Sequence, residues 1–323
     1  MGRRLWLFVL LAATTQGIAA QDCTNTVLVS FYDQLTTNEI QTLKSDDVEV
    51  RMSGSDLPIL GFSRDFDNRL LILLETEGAA KSDKLEDLVE MVTRQARTAP
   101  DGKPVAFGIF VQKAVFTKGF QQDEKKRTAA VNDVIEEAGS LGKHVALWDS
   151  LHEALQQFGP HQPGDTVLLI GDPYDDISHH SAVEVEKEFL SSGTRFFMMR
   201  RMHASRVDRD FTWNTHDLEK SVLARMTQET GGLLSEYVAS LIRFAWAGYM
   251  VTVKLPPEMN HPHKWKVLFR GPAAHMHRKT NFYYPTLLPP CNSRAAGSYK
   301  ETENGKLNQE KLDGAVKQEV MRR

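Results

Sequence analysis

The run Thr166-Val-Leu-Leu-Ile-Gly171 is apolar up to its glycine and then breaks into Asp172-Pro-Tyr-Asp-Asp176, and this change constrains the fold most. A short apolar run closed by turn residues reads as a strand covered on both faces, since a strand wet on one side alternates apolar with polar residues. Arg69-Leu-Leu-Ile-Leu-Leu-Glu75-Thr-Glu77-Gly78 repeats the design, and Val105-Ala-Phe-Gly-Ile-Phe-Val111 and Thr194-Arg-Phe-Phe-Met-Met199 are further core strands. Between these runs apolar residues fall at helical spacing. Leu85, Leu88, Val89 and Val92 form one such face, Val131, Val134, Ile135 and Ala138 a second, and Leu147, Leu151, Ala154, Leu155 and Phe158 a third. Ala182, Val185 and Phe189 mark another helix, and Leu218, Val222 and Met226 one more, with Gly231-Gly232 as its C-cap. Leu234, Tyr237, Val238, Leu241, Ile242 and Ala245 predict a last helix. Strands alternating with helices predict an α/β domain over residues 67–247, a doubly wound, mainly parallel sheet with helices on both faces.

The flanks read differently. Residues 21–66 hold β-type segments at 26–31, 48–52 and 57–62, and residues 248–291 hold others at 249–255, 265–269 and 281–284. We expect the two flanks to pair as one small β-module. Cys23 and Cys291, the only cysteines, lie one in each flank and are expected to form a disulfide in an oxidising compartment. Closing so long a loop would contribute about 5 kcal/mol in the chain-entropy model. Residues 1–20 carry Arg3 and Arg4, then Leu5-Trp-Leu-Phe-Val-Leu-Leu, then small residues through Ala20, the pattern of a secretory signal. Export to the periplasm or the medium follows as an expectation, with no transmembrane segment in the mature chain. The stretch 292–323 is polar and charged and is expected to be disordered.

In an open α/β sheet ligands gather beyond the carboxyl ends of the strands, which places the acidic turns after residues 74 and 171 on one rim. Glu75, Glu77 and Asp172 are candidate ligands there, with Asp149, Asp175 and Asp176 as binding-rim residues. A formal net charge of −3 gives no electrostatic reason for a nucleic-acid partner. No Gly-x-Ser-x-Gly elbow, phosphate-binding loop, His-Glu-x-x-His helix or dinucleotide fingerprint is present, so no catalytic residue is assigned.

The order of the acidic turn after residue 74, Ala146-Leu-Trp-Asp-Ser-Leu151 opening a helix, Leu168-Leu-Ile-Gly-Asp172, and Leu223-Ala-Arg-Met-Thr-Gln-Glu-Thr-Gly-Gly232 resembles a von Willebrand factor type A domain. More narrowly, it is similar to the exported type A-related proteins of acidobacteria, over residues 25–288. The resemblance implies a doubly wound fold and protein binding through a divalent cation held by Asp-x-Ser-x-Ser, a threonine and an aspartate. Here those positions become Glu75-Thr76-Glu77-Gly78-Ala79, Val145 and Asp172, so only the last is kept. The expectation is a degenerate adhesion site and a protein partner met without the usual cation.

Two alternatives stay open. One is a divalent-metal-binding protein, using Mg²⁺, Mn²⁺ or Ca²⁺ on the carboxylates of the rim, or Zn²⁺ or Cu²⁺ on His261-Pro-His263 and His275-Met-His277, each read as two rings on one strand face. The other is a hydrolase using a carboxylate pair such as Glu77 and Asp172. His161 and His179-His180 read as ordinary loop residues, and Met198, Met199 and Met202 as packing.

Overall fold

The computed structural model describes residues 23–34, 38–76, 90, 94, 102–137, 144–171, 175–200, 222–235, 238–257 and 259–289. In chain order the first strands are β1 (Thr24–Asp33), β2 (Val48–Met52), β3 (Ser55–Leu57), β4 (Ile59–Ser63), β5 (Leu70–Glu75), β6 (Val105–Phe110) and β7 (Ala114–Phe116). Helices α1 (Glu124–Glu137) and α2 (Leu147–Gln156) lead to β8 (Thr166–Gly171), α3 (Ala182–Ser192), β9 (Arg195–Arg200), α4 (Val222–Glu229), β10 (Leu234–Ser235) and α5 (Val238–Ala245). The chain returns to β-structure with β11 (Tyr249–Lys254) and β12 (His263–Phe269), then α6 (Gly271–Met276), β13 (Thr280–Tyr283) and β14 (Leu287–Leu288).

The central sheet has the order β10-β9-β8-β5-β6-β7. Its ladders are parallel except for the edge pair β6 and β7. Counted within the domain this is the 3-2-1-4-5-6 order of a doubly wound sheet. Every residue of β5, β6 and β8 is buried, as their unbroken apolar runs require. Alternation then divides each strand between two cores. Leu71, Leu73, Val167, Leu169, Phe196 and Met198 meet Val134, Leu147, Leu151, Leu155, Phe189 and Met226 on one side. Leu70, Ile72, Leu74, Leu168, Ile170 and Phe197 meet Val131, Leu241, Ile242 and Ala245 on the other. Burying each of these large side chains contributes about 1.5–3 kcal/mol, which makes the two faces the main support of the sheet.

The flanks do join. β1 pairs antiparallel with β11 and β13, and β11 with β4, giving the order β13-β1-β11-β4; a second sheet runs β14-β12-β2-β3. Both sheets contribute to one core around Phe31, whose ring contacts Tyr249, Phe269 and Phe282. Hydrogen bonds that tie this β-module to the α/β part include Ser30 Oγ to the Ala247 carbonyl at 2.7 Å and the Thr286 N–H to the Glu229 carbonyl at 2.8 Å.

Several local expectations need correction. The strand expected over 57–62 is two strands split at Pro58, which lacks the N–H a ladder needs; β3 joins one sheet and β4 the other. The helix expected over 234–245 begins only at Val238, because Leu234 and Ser235 pair with Met198 and Met199 as the edge strand β10. The edge strand β7 and helix α6 were not foreseen. Of the helix expected at 85–92 only Glu90 and, beyond it, Arg94 are described; both are helical, with Arg94 Nη2 at 2.6 Å from Glu90 Oε1. Residues 1–20, Leu218 and 292–323 lie outside the described residues.

Gly231-Gly232 closes α4 as expected. Gly231 has φ +74°, a left-handed conformation that glycine adopts without strain. The Gly232 N–H reaches back to the Thr227 carbonyl at 2.7 Å, the six-to-one bond of a glycine C-cap.

Candidate functional site

The carboxyl ends of β5 and β8 lie side by side because Leu70 to Leu74 pair in register with Thr166 to Ile170. Glu75, the last residue of β5, is fully buried. Its side chain lies against Gly171, where an added β-carbon would be 2.7 Å from Glu75 Oε2. A glycine at 171 is therefore what lets a glutamate fit here. Thr76 is buried beside it, its N–H donating to the Phe110 carbonyl at 3.1 Å. Glu77 and Asp172 lie outside the described residues.

Val145, at the position where the type A pattern has a threonine, turns its side chain into the core. Its backbone meets Asp176 twice: the Val145 N–H donates to Asp176 Oδ1 at 2.6 Å, and the Asp176 N–H donates to the Val145 carbonyl at 3.0 Å. Helix α2 follows with Ala146 at its N-cap, a residue with no side-chain acceptor. The open N–H groups of a first helical turn need acceptors, and negative charge is favoured there by the helix dipole. Those acceptors come from about thirty residues downstream. Asp175 Oδ1 takes the Leu147 N–H at 2.8 Å, and Ser178 Oγ takes those of Trp148 at 3.0 Å and Asp149 at 3.2 Å.

Asp149 sits in that first turn but does not cap its own helix. Its carboxylate crosses to the facing turn, where it accepts the backbone N–H groups of His179 at 3.0 Å and His180 at 2.8 Å. The Nδ1 atoms of the same two rings lie at 3.0 and 2.7 Å. Burial alone would raise this carboxyl, but the backbone and ring bonds from His180 and His179 outweigh it and hold the group well below the usual carboxylate range. A carboxyl depressed in the folded chain stabilises it above the ordinary aspartate range, and that contribution is lost only as pH falls through the lower folded value.

Two further imidazoles complete the cluster. His144 Nδ1 lies 2.9 Å from Asp176 Oδ2, and His152 Nδ1 lies 2.7 Å from Glu188 Oε2. The His152 and His180 rings stack with centroids 4.0 Å apart. At its far end the turn runs into α3 through a capping box, in which Ser181 Oγ accepts the Glu184 N–H at 3.3 Å and Glu184 Oε2 accepts the Ser181 N–H at 2.8 Å. Asp149, Asp175 and Asp176 thus converge, as acceptors that pin the 175–181 turn onto α2. The histidines around them were passed over in the sequence, where His179-His180 after two aspartates was the one available signal.

We expect Asp149→Ala to lower stability by about 1–3 kcal/mol, the range for losing a charged acceptor of several hydrogen bonds. Amide exchange at His179 and His180 should quicken, and unchanged protection of those two amides would refute the pinning role.

Among the described residues no group of three or more His, Cys, Asp or Glu is arranged to hold a metal ion. Both oxygens of Asp149, Oδ1 of Asp175 and Oδ1 of Asp176 accept N–H groups of the rim. Neither His-x-His pair lies wholly on one strand, as each was expected to. His261 precedes β12 and His263 opens it, their rings 4.2 Å apart, but His275 lies in α6 and His277 caps its end. Residues two apart on a helix face different ways. The His277 ring packs against Phe269, at the opposite end of β12 from His263, so the two pairs are separated by about 20 Å of strand. Met198 and Met199 pack against the two cores, and Met202 lies outside the described residues. Cys23 is buried at the start of β1, and Asn25 Nδ2 donates to the Pro289 carbonyl at 2.9 Å; Cys291 lies outside the described residues.

The strand order, the single antiparallel edge strand and the helices on both faces make this a von Willebrand factor type A-like fold, carrying a β-module built from both flanks. Solved structures with a similar arrangement include an aerotolerance-related membrane protein from Bacteroides fragilis, 15% identical over 54% of this chain and 92% of that one, with a TM-score of 0.39. BatB from Bacteroides thetaiotaomicron is 13% identical over 55% of this chain and 95% of that one, TM-score 0.40. A von Willebrand factor type A protein from Catenulispora acidiphila is 10% identical over 77% and 70%, TM-score 0.38. At these TM-scores the likenesses add no weight to the topology itself. No family model matches the chain, and no curated protein matches it. No described helix is long and apolar enough to cross a membrane.

Proposed function

We propose that this chain is an exported, non-enzymatic protein-interaction module that receives its partner on the carboxyl-end rim without a bridging cation. The observation that carries the reading is the use of Asp149, Asp175 and Asp176. Each directs its carboxylate at N–H groups of the rim itself, so the oxygens that would favour a cation instead fix the shape of the surface. A surface held in one conformation before contact loses less entropy on binding. On it the side chains of His144 and His179 remain 65% and 92% exposed, polar contacts available to a partner. The adjoining turn adds exposed Gln112 and Lys113. Export rests on the signal-like residues 1–20, and a Cys23–Cys291 disulfide would lock the two flanks together.

Charge swaps on this face test the reading. His179→Glu with Lys113→Glu should weaken capture of the partner from a cell-envelope lysate by about tenfold, or about 1.4 kcal/mol. Unchanged capture would remove the rim as the interface.

A further inference from the structure

On the side of the central sheet opposite the rim lies a cavity of about 540 Å³, within the usual volume range of small-molecule sites. Its walls are the start of β1, the 159–164 turn before β8, the end of α3 with the turn into β9, and the segment around β14. It therefore sits at the seam between the β-module and the α/β part, and each contributes apolar residues: Val27, Leu28 and Pro285 from the first, Phe189 and Leu190 from the second. The polar side chains of the wall spend hydrogen bonds on the protein itself. Asn25 Nδ2 donates to the Pro289 carbonyl at 2.9 Å, Ser191 Oγ to the Glu188 carbonyl at 3.1 Å, Ser192 Oγ to the Phe189 carbonyl at 3.1 Å, and Thr26 Oγ1 lies 2.9 Å from Thr252 Oγ1. These bonds preform the wall and reduce the polar contacts it offers a guest.

Among the described residues of its wall there is no aspartate, glutamate or lysine, and the one arginine, Arg195, is 1% exposed. Its Nε and Nη2 donate to the Gly231 carbonyl at 3.1 and 3.0 Å, Nη2 also reaches Ser30 Oγ at 3.4 Å, and its Cζ lies 4.8 Å from the Phe197 ring centroid. Gly231, Ser30 and Phe197 do not line the cavity, and Nη1 is buried as well, so the guanidinium is engaged behind the wall. Desolvation holds His161 below its ordinary value, which keeps its ring neutral at neutral pH. Whichever atoms of the other lining residues face the space, none carries a charge. A charged head group brought in would lose its water and meet no counter-charge, whereas an apolar body gains by leaving water.

We propose that this cavity is a binding site for an uncharged small molecule with an apolar body, such as a medium-chain alcohol, held between β1 and the end of α3. The site is independent of the rim, and its failure would leave the rim reading untouched.

Ligand-observed NMR titration of the full chain with hexanol, hexanoate and hexylamine tests it, since the three share a body and differ in the charge of the head group. Saturable hexanol binding is expected, with both hexanoate and hexylamine weaker by about tenfold or more, because each would bring an unpaired charge out of water. Ser191→Trp, at the exposed end of α3 on the cavity wall, leaves the core intact and should abolish hexanol binding by filling the space. No saturable hexanol binding, hexanoate or hexylamine binding as tight as hexanol, or hexanol binding that survives Ser191→Trp would overturn the assignment.

Discussion

Replacing Asp165 by alanine should destabilise the chain by about 3–5 kcal/mol, the range for removing one partner of a buried ion pair. Asp165 is fully buried at the foot of β8, where its oxygens lie 2.9 Å from Arg69 Nε and 2.6 Å from Arg69 Nη2 and accept the Gln162 N–H at 2.8 Å. Arg69 also donates to the carbonyls of Phe158 at 2.7 Å and Pro160 at 2.8 Å, and lies over the rings of Phe120 and Phe158. Without the carboxylate the guanidinium keeps those contacts but loses its counter-charge. The denaturation midpoint should fall at unchanged slope. Adding Arg69→Met to Asp165→Leu should recover much of the loss, because an apolar pair avoids the stranded charge. If Asp165→Ala alone cost less than about 1 kcal/mol, the value of an exposed pair, the site would be behaving as if it were on the surface. The effect reaches the rim: Arg69 and Asp165 stand just before the first paired residues of β5 and β8, and that pairing aligns Glu75 with Gly171 at the other end.

Gly232→Ala should be at least as damaging, at about 3 kcal/mol or more. A β-carbon at 232 would fall inside the Phe196 carbonyl of β9, a backbone group that cannot turn aside as a side-chain tip can. Either β9 shifts or the α4 cap opens. Both disturb the neighbouring Leu233 carbonyl, which accepts the Met198 N–H at 3.0 Å. Gly193→Ala makes the contrast: nothing lies within 4 Å of its added carbon, so only the left-handed φ of +70° resists, a cost of about 1 kcal/mol. Equal midpoints for the two variants would mean that the close approach at 232 relaxes without consequence.

The main architecture was legible because burial on both faces writes itself into a strand as an unbroken apolar run. Leu70 to Leu74, Val105 to Phe110 and Val167 to Ile170 show this, and so do the i, i+3, i+4 faces of α1 and α2. What escaped depended on tertiary partners. Leu234 fits a helical face with Leu241 and Ile242, but a free backbone edge at Met198 takes it as a strand. His275-Met-His277 alternates like a strand, yet Gly271-Pro272 starts a helix there, proline in a first helical turn losing no intrahelical bond. At the rim the sequence marked Asp149, Asp175 and Asp176 by charge alone. Their use lies in distances to N–H groups about thirty residues away, which no local pattern records. Glu75 illustrates the same limit: its packing against Gly171 of the adjacent strand depends on a tertiary contact that no local pattern records. The pairing of Arg69 with Asp165 across 96 positions left no trace in sequence at all.

The central claim is that the rim works without a cation, and calorimetric titration of residues 21–323 with Mg²⁺, Mn²⁺, Ca²⁺ and Zn²⁺, repeated on Asp172→Ala, addresses it most directly. The account predicts no saturable heat with any of the four, and partner capture indifferent to chelator. Saturable Mg²⁺, Mn²⁺ or Ca²⁺ binding that disappears with Asp172→Ala would contradict it, and would assign Glu75, Glu77 and Asp172 to a working adhesion-type metal site.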